Sequence, residues 1–228
     1  MATDRWEHLN LWVSLPALPK IGSSLPMLCS LEFAVFTFGD VFTFYEVLQL
    51  RNVVLRGRIS SLVVLPWMQL TSLTLNYAEV NKCVEILTQT PNLVRCVLIL
   101  GDHNEDLDEV TNGGLDLVLP RLESLIIKRS VLWQQNAIGL LQCFAVPSLR
   151  KLEVHELLLG TNPIHQLKSF ISKSGCTLQE VCIWISNDHT TTGDEAYRSA
   201  FPSIPTFTFT IADDESEFDD ESDFEDED

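Results

Sequence analysis

The stretch LPWMQLTSLTL at residues 65–75 contains the pattern that decides the fold. In it, Leu70 is followed by two variable residues, Leu73, one variable residue and Leu75. In an extended chain the last two leucines point to one face, while the first lies at the turn that leads into the strand. The pattern therefore predicts a short strand that is buried on one face.

The same pattern occurs nine times along the chain. The other eight copies are Trp6-Leu9-Leu11, Leu28-Leu31-Phe33, Leu50-Val53-Leu55, Leu93-Cys96-Leu98, Leu122-Leu125-Ile127, Leu149-Leu152-Val154, Leu178-Val181-Ile183 and Ile204-Phe207-Phe209. Successive first positions lie 22, 22, 20, 23, 29, 27, 29 and 26 residues apart, within the range typical of leucine-rich repeats. The spacing predicts an α/β leucine-rich-repeat solenoid of about nine irregular repeats over residues 5–212, with parallel strands on the concave side and helices on the convex side.

The segments between the predicted strands are expected to contain the helices. Residues 79–88 and 137–144 carry apolar side chains at helical spacing, which predicts an amphipathic helix in each. Prolines stand just before the first leucine of several repeats, where they are expected to end the preceding helix. These prolines are Pro26, Pro91, Pro120 and Pro147.

The charge is concentrated at the end of the chain. The formal net charge is -17, but residues 213–228 hold 12 acidic residues and no Lys or Arg, which leaves 20 acidic against 15 basic residues in the rest. So dense a run of like charges predicts a disordered acidic tail. Ser216 and Ser222 each have an acidic residue three positions later. This spacing resembles that of acidophilic casein-kinase sites, so both serines are candidates for phosphorylation.

Composition also excludes several classes of function. Residues 1–212 contain no basic stripe, which argues against nucleic acid or a membrane surface as partner. No run of 18 uncharged apolar residues is present, and the first ten residues do not resemble a signal peptide. An intracellular protein, cytoplasmic or nuclear, is expected. The six cysteines form no Cys-x-x-Cys pair and are expected to be reduced, buried small hydrophobes.

The sequence offers no support for catalysis. Residues 102–113 begin like a calcium-binding loop, but Leu107 and Gly113 occupy the positions where glycine and a bidentate glutamate are needed. This segment is expected to be a solvated loop. No nucleophile elbow, phosphate-binding loop or dinucleotide fingerprint occurs. We therefore expect no enzyme activity, no catalytic residue, no metal and no cofactor.

The predicted strands instead offer a surface for binding protein. In a stack of parallel strands, the variable positions beside the buried leucines point to the concave side, which solenoids use for recognition. Long cations and exposed aromatic side chains are effective interface anchors. The candidate protein-binding residues are Arg56, Asn76, Lys128, Glu153, His155 and Trp184.

A set of motifs resembles a known family. They are LPWMQLTSLTL at 65–75, CVEILTQTPNLVRCVL at 83–98, LPRLESLII at 119–127, VPSLRKLEV at 146–154 and FISKSGCTLQEVCI at 170–183. Together they resemble the leucine-rich-repeat region of F-box proteins of mushroom-forming fungi. The resemblance implies that the repeats hold a protein substrate for an F-box-type (SCF) ubiquitin ligase. The first repeat begins at Trp6, and the residues before it are too few for the three helices of an F-box. A Skp1-type adaptor is therefore expected as partner only if an F-box lies upstream.

Two other interpretations remain open from the sequence. Leucine-rich repeats followed by acidic residues also resemble the acidic nuclear phosphoproteins that bind histones, so the tail could bind a basic protein. A free-standing structural scaffold is the third possibility.

Overall fold

The computed structural model describes residues 5–13, 25–35, 42–44, 46–57, 63–101, 116–130, 139–185 and 193–211. Their strands, in chain order, are β1 (His8–Val13), β2 (Ser30–Val35), β3 (Phe42–Thr43), β4 (Asn52–Arg56), β5 (Val63–Val64), β6 (Ser72–Ala78), β7 (Arg95–Leu100), β8 (Leu117–Val118), β9 (Ser124–Arg129), β10 (Phe144–Ala145), β11 (Lys151–His155), β12 (Glu180–Ile185) and β13 (Thr206–Ile211). The α-helices are α1 (Val80–Leu87), α2 (Pro163–Ser174) and α3 (Asp194–Ala200).

The architecture is α/β, with one large sheet of nine parallel strands. Their order across the sheet is β1-β2-β4-β6-β7-β9-β11-β12-β13, which is also their order along the chain. These are the nine strands that the apolar pattern predicts, and their parallel arrangement is confirmed. Two short parallel pairs, β3 with β5 and β8 with β10, lie outside the large sheet.

The hydrophobic core lies against one face of the large sheet. The two strand residues of each predicted triplet supply it: Leu73 and Leu75 on β6, for example, are completely buried. Apolar side chains from the helices, such as Leu167 and Phe170 on α2, belong to the same cluster. Since strand side chains alternate between faces, the residues between these leucines lie on the opposite face of the sheet.

Most strands of the large sheet begin with the same backbone arrangement. The N–H of Leu70 donates to the carbonyl of Trp67 at 3.2 Å, and one carbonyl, that of Arg51, accepts from both Thr71 and Ser72 at 2.9 and 3.1 Å. The same pairs of bonds to a single carbonyl recur at Glu7, Cys29, Thr71, Val94, Glu123 and Arg150. These seven strands are therefore aligned with their predecessors at the first residue, while β13 begins with a single bond, from Thr206 to the carbonyl of Gln179 at 3.1 Å.

One predicted helix is confirmed and another is wrong. Helix α1 lies within the predicted segment 79–88 and buries one face in the core. In the second segment, 137–144, residues Leu140–Cys143 form a 3-10 helix and Phe144 begins β10. Gly139, with a φ of 100°, is left-handed, which an α-helix interior does not accommodate, and Phe144 pairs with Leu117 of β8.

The prolines also act differently from the prediction. Pro91 follows α1 after a short turn, but Pro120 follows β8 and Pro147 follows β10. All three lie in turns just before a strand of the large sheet. In those turns the missing N–H costs nothing, because no ladder bond is required there.

An aromatic cluster covers the core beside β13. The Tyr197 ring lies 5.6 Å from those of Phe207 and Phe209, and Phe201 stacks on Phe207 at 5.9 Å. The Tyr197 hydroxyl donates to Oε1 of Glu156 at 2.9 Å. Both side chains are almost completely buried, and Oε2 of Glu156 has no hydrogen-bond partner among the described residues. This pair joins α3 to the segment that follows β11.

The cysteines are free thiols. Cys29 is half-buried and the other five are buried. Burial raises the pKa of Cys83 to about 12 and raises that of Cys96 as well. Such thiols remain protonated at neutral pH and do not act as nucleophiles.

Three sequence expectations lie outside the described residues: the loop 102–113, the acidic tail at 213–228, and the serines Ser216 and Ser222 in that tail.

Candidate protein-binding face

The sheet face opposite the core presents three rows of side chains, here called the open face. One row runs through His8, Ser30, Asn52, Ser72, Arg95, Ser124, Lys151, Glu180 and Thr206. The middle row runs through Asn10, Glu32, Val54, Thr74, Val97, Ile126, Glu153, Cys182 and Thr208. The third contains Trp12, Ala34, Arg56, Asn76, Ile99, Lys128, His155, Trp184 and Thr210. Parallel pairing without register shifts keeps each row continuous up to Asn76.

The centre of the open face is apolar. Val54, Val97 and Ile126 follow one another in the middle row, interrupted by Thr74, and Ile99 lies beside them in the third row. All five side chains are half-buried. A partly exposed apolar patch framed by polar residues is typical of interface centres.

A charged and aromatic cluster lies on each side of this centre. Toward β1, Nε of Arg56 donates to Glu32 at 2.8 Å, and Asn10 donates to the same carboxylate at 3.3 Å. The Arg56 guanidinium also lies 5.7 Å from the ring of Trp12, which is 60% exposed. The cluster combines an exposed aromatic surface with a cation whose orientation is fixed by its carboxylate partner.

The second cluster lies toward β12. The ammonium of Lys128 is 3.7 Å from the ring centroid of Trp184, and the indole N–H of Trp184 donates to Glu153 at 3.4 Å. Lys151 binds Glu180 at 2.8 Å and Glu153 at 3.0 Å. The hydrogen bonds that Lys151 donates to Glu180 and then to Glu153 raise its pKa. These contacts hold Trp184 in one orientation.

Asn76 occupies a buried position on the open face. Its side chain is 6% exposed, and Oδ1 has no hydrogen-bond partner among the described residues. The strand is irregular at this point: the register with β7 shifts between Asn76 and Ala78, and Tyr77 has a φ of 59°. A non-glycine residue in the left-handed region is strained, and such strain concentrates at functional sites.

His155 is also buried. It is 3% exposed, with Arg129 Nε at 3.3 Å from Nε2 and the Leu157 N–H at 3.3 Å from Nδ1. Burial, and then the positive charge of Arg129, lower the pKa of His155 to about 4. The imidazole is therefore neutral at pH 7. A neutral imidazole accepts at only one nitrogen, so one of these two contacts is a hydrogen bond at any moment.

All six candidate residues lie on the open face, but they differ in what they present. Arg56, Lys128, Glu153 and Trp184 are half-buried and belong to the two clusters, whereas Asn76 and His155 are buried and offer little surface. Sequence reasoning missed Trp12 and Glu32. Both stand at the same strand positions as Arg56 and Glu153, so applying the alternation to the first two strands identifies them.

Other kinds of site receive no support from the described residues. No group of three or more potential metal ligands occurs among them. None of their helices is both long and apolar enough to cross a membrane. Comparison of the chain with protein-family models, with curated proteins and with solved structures gave no significant match.

Proposed function

We propose that this chain is a leucine-rich-repeat solenoid that binds a protein through its open face and catalyses no reaction. The observation that carries the proposal is the layout of that face, in which an apolar centre lies between two clusters that each pair a tryptophan with a cation. Tryptophan and arginine dominate the binding energy of protein interfaces, and an apolar centre excludes water from them.

Preorganisation supports the same proposal. Trp184 is held by both Lys128 and Glu153, and Arg56 is held by Glu32, so these side chains lose little further rotamer entropy when a partner binds.

The resemblance of the repeat motifs extends the proposal to a biological role. We infer that the chain acts as the substrate-binding repeat region of an F-box-type ubiquitin ligase component. In that role the open face holds the protein to be modified, while contact with a Skp1-type adaptor depends on an F-box elsewhere.

The test is affinity capture from extract of the source cells, with the tagged chain as bait and bound proteins quantified by mass spectrometry. Trp184→Ala and Arg56→Ala remove one anchor from each cluster. Lys168→Ala on the opposite side of the sheet is the matched control. We expect a set of proteins retained by the parent chain and the control and depleted at least tenfold by the double variant.

Two outcomes separate the parts of the proposal. Equal retention by the double variant would contradict binding through the open face. A face-dependent partner without Skp1-type adaptor or cullin would contradict the ligase role while keeping the binding role, provided that the bait contains any upstream F-box.

A further inference from the structure

Strand β1 forms one edge of the large sheet. Among the described strands only β2 pairs with it. The carbonyl of Glu7 accepts from Ser30 of β2 at 3.1 Å, so odd-numbered backbone groups of this strand point toward β2. The backbone groups of His8 and Asn10 therefore point to the other side, where another strand can add.

The core is less well covered at this edge. Leu9 and Leu11 are only partly buried, whereas their partners on β2, Leu31 and Phe33, are 0% exposed. Trp12 on the same strand is 60% exposed and Trp6 just before it is 38% exposed. Partly exposed apolar side chains on both faces of an edge strand favour association with another polypeptide.

The opposite edge is protected. On β13, Phe207 is 5% exposed because the rings of Tyr197 and Phe201 cover it. The 12 acidic residues of 213–228 follow this strand in the sequence, and their mutual repulsion opposes the approach of a second copy there. By contrast, β1 contains none of the usual edge protection, since HLNLWV has no Lys, Asp, Glu or Pro.

We propose that β1 pairs in antiparallel orientation with β1 of a second copy, with Asn10 opposite Asn10 across a two-fold axis. In this register Leu9 lies opposite Leu11 of the other copy on the core side, and His8 lies opposite Trp12 on the open face. On the core side each leucine meets a leucine, and β1 brings no like-charged carboxylates or ammonium groups face to face.

Other registers fit less well. A shift by one residue moves the leucines of one copy to the open face, where they meet polar side chains. Centring the axis on Leu11 leaves His8 beyond the paired segment. Joining β13 of one copy to β1 of the next is a head-to-tail contact that does not close and leads to open assemblies. The two-fold pairing instead gives a closed dimer.

Pairing of this kind produces one continuous sheet with both open faces on the same side. This inference does not depend on the proposed function. If that function holds, the dimer presents two binding faces to one partner assembly, which raises avidity without any new contact.

The first experiment compares Asn10→Pro with Asn10→Ala in the full chain. Proline at position 10 removes an N–H that points away from β2, so the pairing within one copy persists while the contact between copies is lost. We expect the parent chain and Asn10→Ala to show twice the 25.7 kDa chain mass by light scattering, and Asn10→Pro to show the single-chain mass. Circular dichroism confirms that the variants are folded.

The second experiment locates the contact. Antiparallel partners lie about 5.5 Å apart at Cα, within the range for a disulfide. Asn10→Cys is therefore expected to form a covalent dimer on mild oxidation. Thr208→Cys, at the equivalent position of the other edge strand, is the matched control, and the parent chain reports any background from its own cysteines.

The results decide the proposal in either direction. A dimer that is lost with Asn10→Pro and locked by Asn10→Cys supports it. A monomer at all concentrations, an open-ended assembly, or a dimer that Asn10→Cys does not crosslink overturns it.

Discussion

The ammonium of Lys128 lies 3.7 Å from the ring centroid of Trp184, although the two residues belong to β9 and β12 and β11 separates them. The lysine reaches across the intervening strand, whose residue beside Trp184 in the third row, His155, is buried. The contact joins three strands at the surface of the open face.

Lys128→Met tests this contact. Methionine retains most of the length of the side chain but removes the charge, so the cation–π attraction is lost while most apolar packing remains. We expect the free energy of unfolding to fall by about 0.5–1 kcal/mol and the fluorescence of the native protein to change, since Trp184 loses a charged neighbour. Urea denaturation measures the first effect. Lys82→Met, which removes a surface pair with Glu85 on α1, is the control, and an equal loss there would contradict the assignment.

His155 gives a pH dependence of defined sign. Its pKa is lowered to about 4 in the folded chain, against about 6.5 in the unfolded chain. The unfolded state therefore binds more protons between these values, and stability is fully present above pH 6.5 and falls as the pH decreases toward 4. The part of this fall that is due to His155 is on the order of 3 kcal/mol. We expect His155→Gln to remove that part.

The measurement for His155 is a series of urea unfolding curves between pH 7.5 and 4. His165→Gln at an exposed position on α2 is the matched control for the substitution itself. If His155→Gln shows the parent slope, the imidazole is not held neutral by burial.

Tyr197 and Glu156 are expected to be energetically coupled. Tyr197→Phe removes the one hydrogen bond to a carboxylate whose other oxygen already has no partner among the described residues, which predicts a loss of about 1–3 kcal/mol. Glu156→Leu in the Tyr197→Phe background removes the buried polar group and should recover part of that loss. A double-mutant cycle by chemical denaturation checks the coupling, and additive effects would argue against it.

Gly101 is expected to tolerate no side chain. A Cβ at this position would lie 2.9 Å from the backbone oxygen of Tyr77, which is itself held at a φ of 59°. Gly101→Ala is therefore predicted to destabilise the fold by about 1–3 kcal/mol. At Gly193 no atom lies within 4 Å of a Cβ, so Gly193→Ala is the matched control, expected to be neutral or slightly stabilising. Thermal unfolding distinguishes the two, and equal melting temperatures would contradict the close approach.

The strands were predictable because their signal is local. Leu73 and Leu75 must be buried together, so alternation alone places Thr74 on the opposite face, and the same argument located all six candidate residues there. This alternation predicts the face of the sheet on which a side chain lies, but not how deeply that side chain is buried. His155 and Asn76 are buried where their strands end in or next to irregular backbone, the 3-10 turn at Glu156–Leu159 and the register shift between Asn76 and Ala78. The spacing of the apolar residues predicts neither irregularity.

The segments between strands were harder to predict. Residues 137–144 carry apolar side chains at helical spacing, but the last of them, Phe144, pairs with Leu117 of β8. This pairing joins residues that are distant in sequence, so the local spacing does not predict it. The partial exposure of Leu9 and Leu11 on β1 was also not predictable, because these two residues match the pattern as well as the completely buried pairs do.

The carbonyls shared at the strand starts make the alignment of the strands independent of the length of the segments between them. Intervals between strands vary from 20 to 29 residues, yet Arg51, Thr71 and Glu123 each align the following strand in the same way. Residues can therefore be inserted or removed between strands without altering the distance between neighbouring positions of a row. The distances between side chains on the open face, which a bound partner contacts, therefore do not change when the segments between strands become longer or shorter.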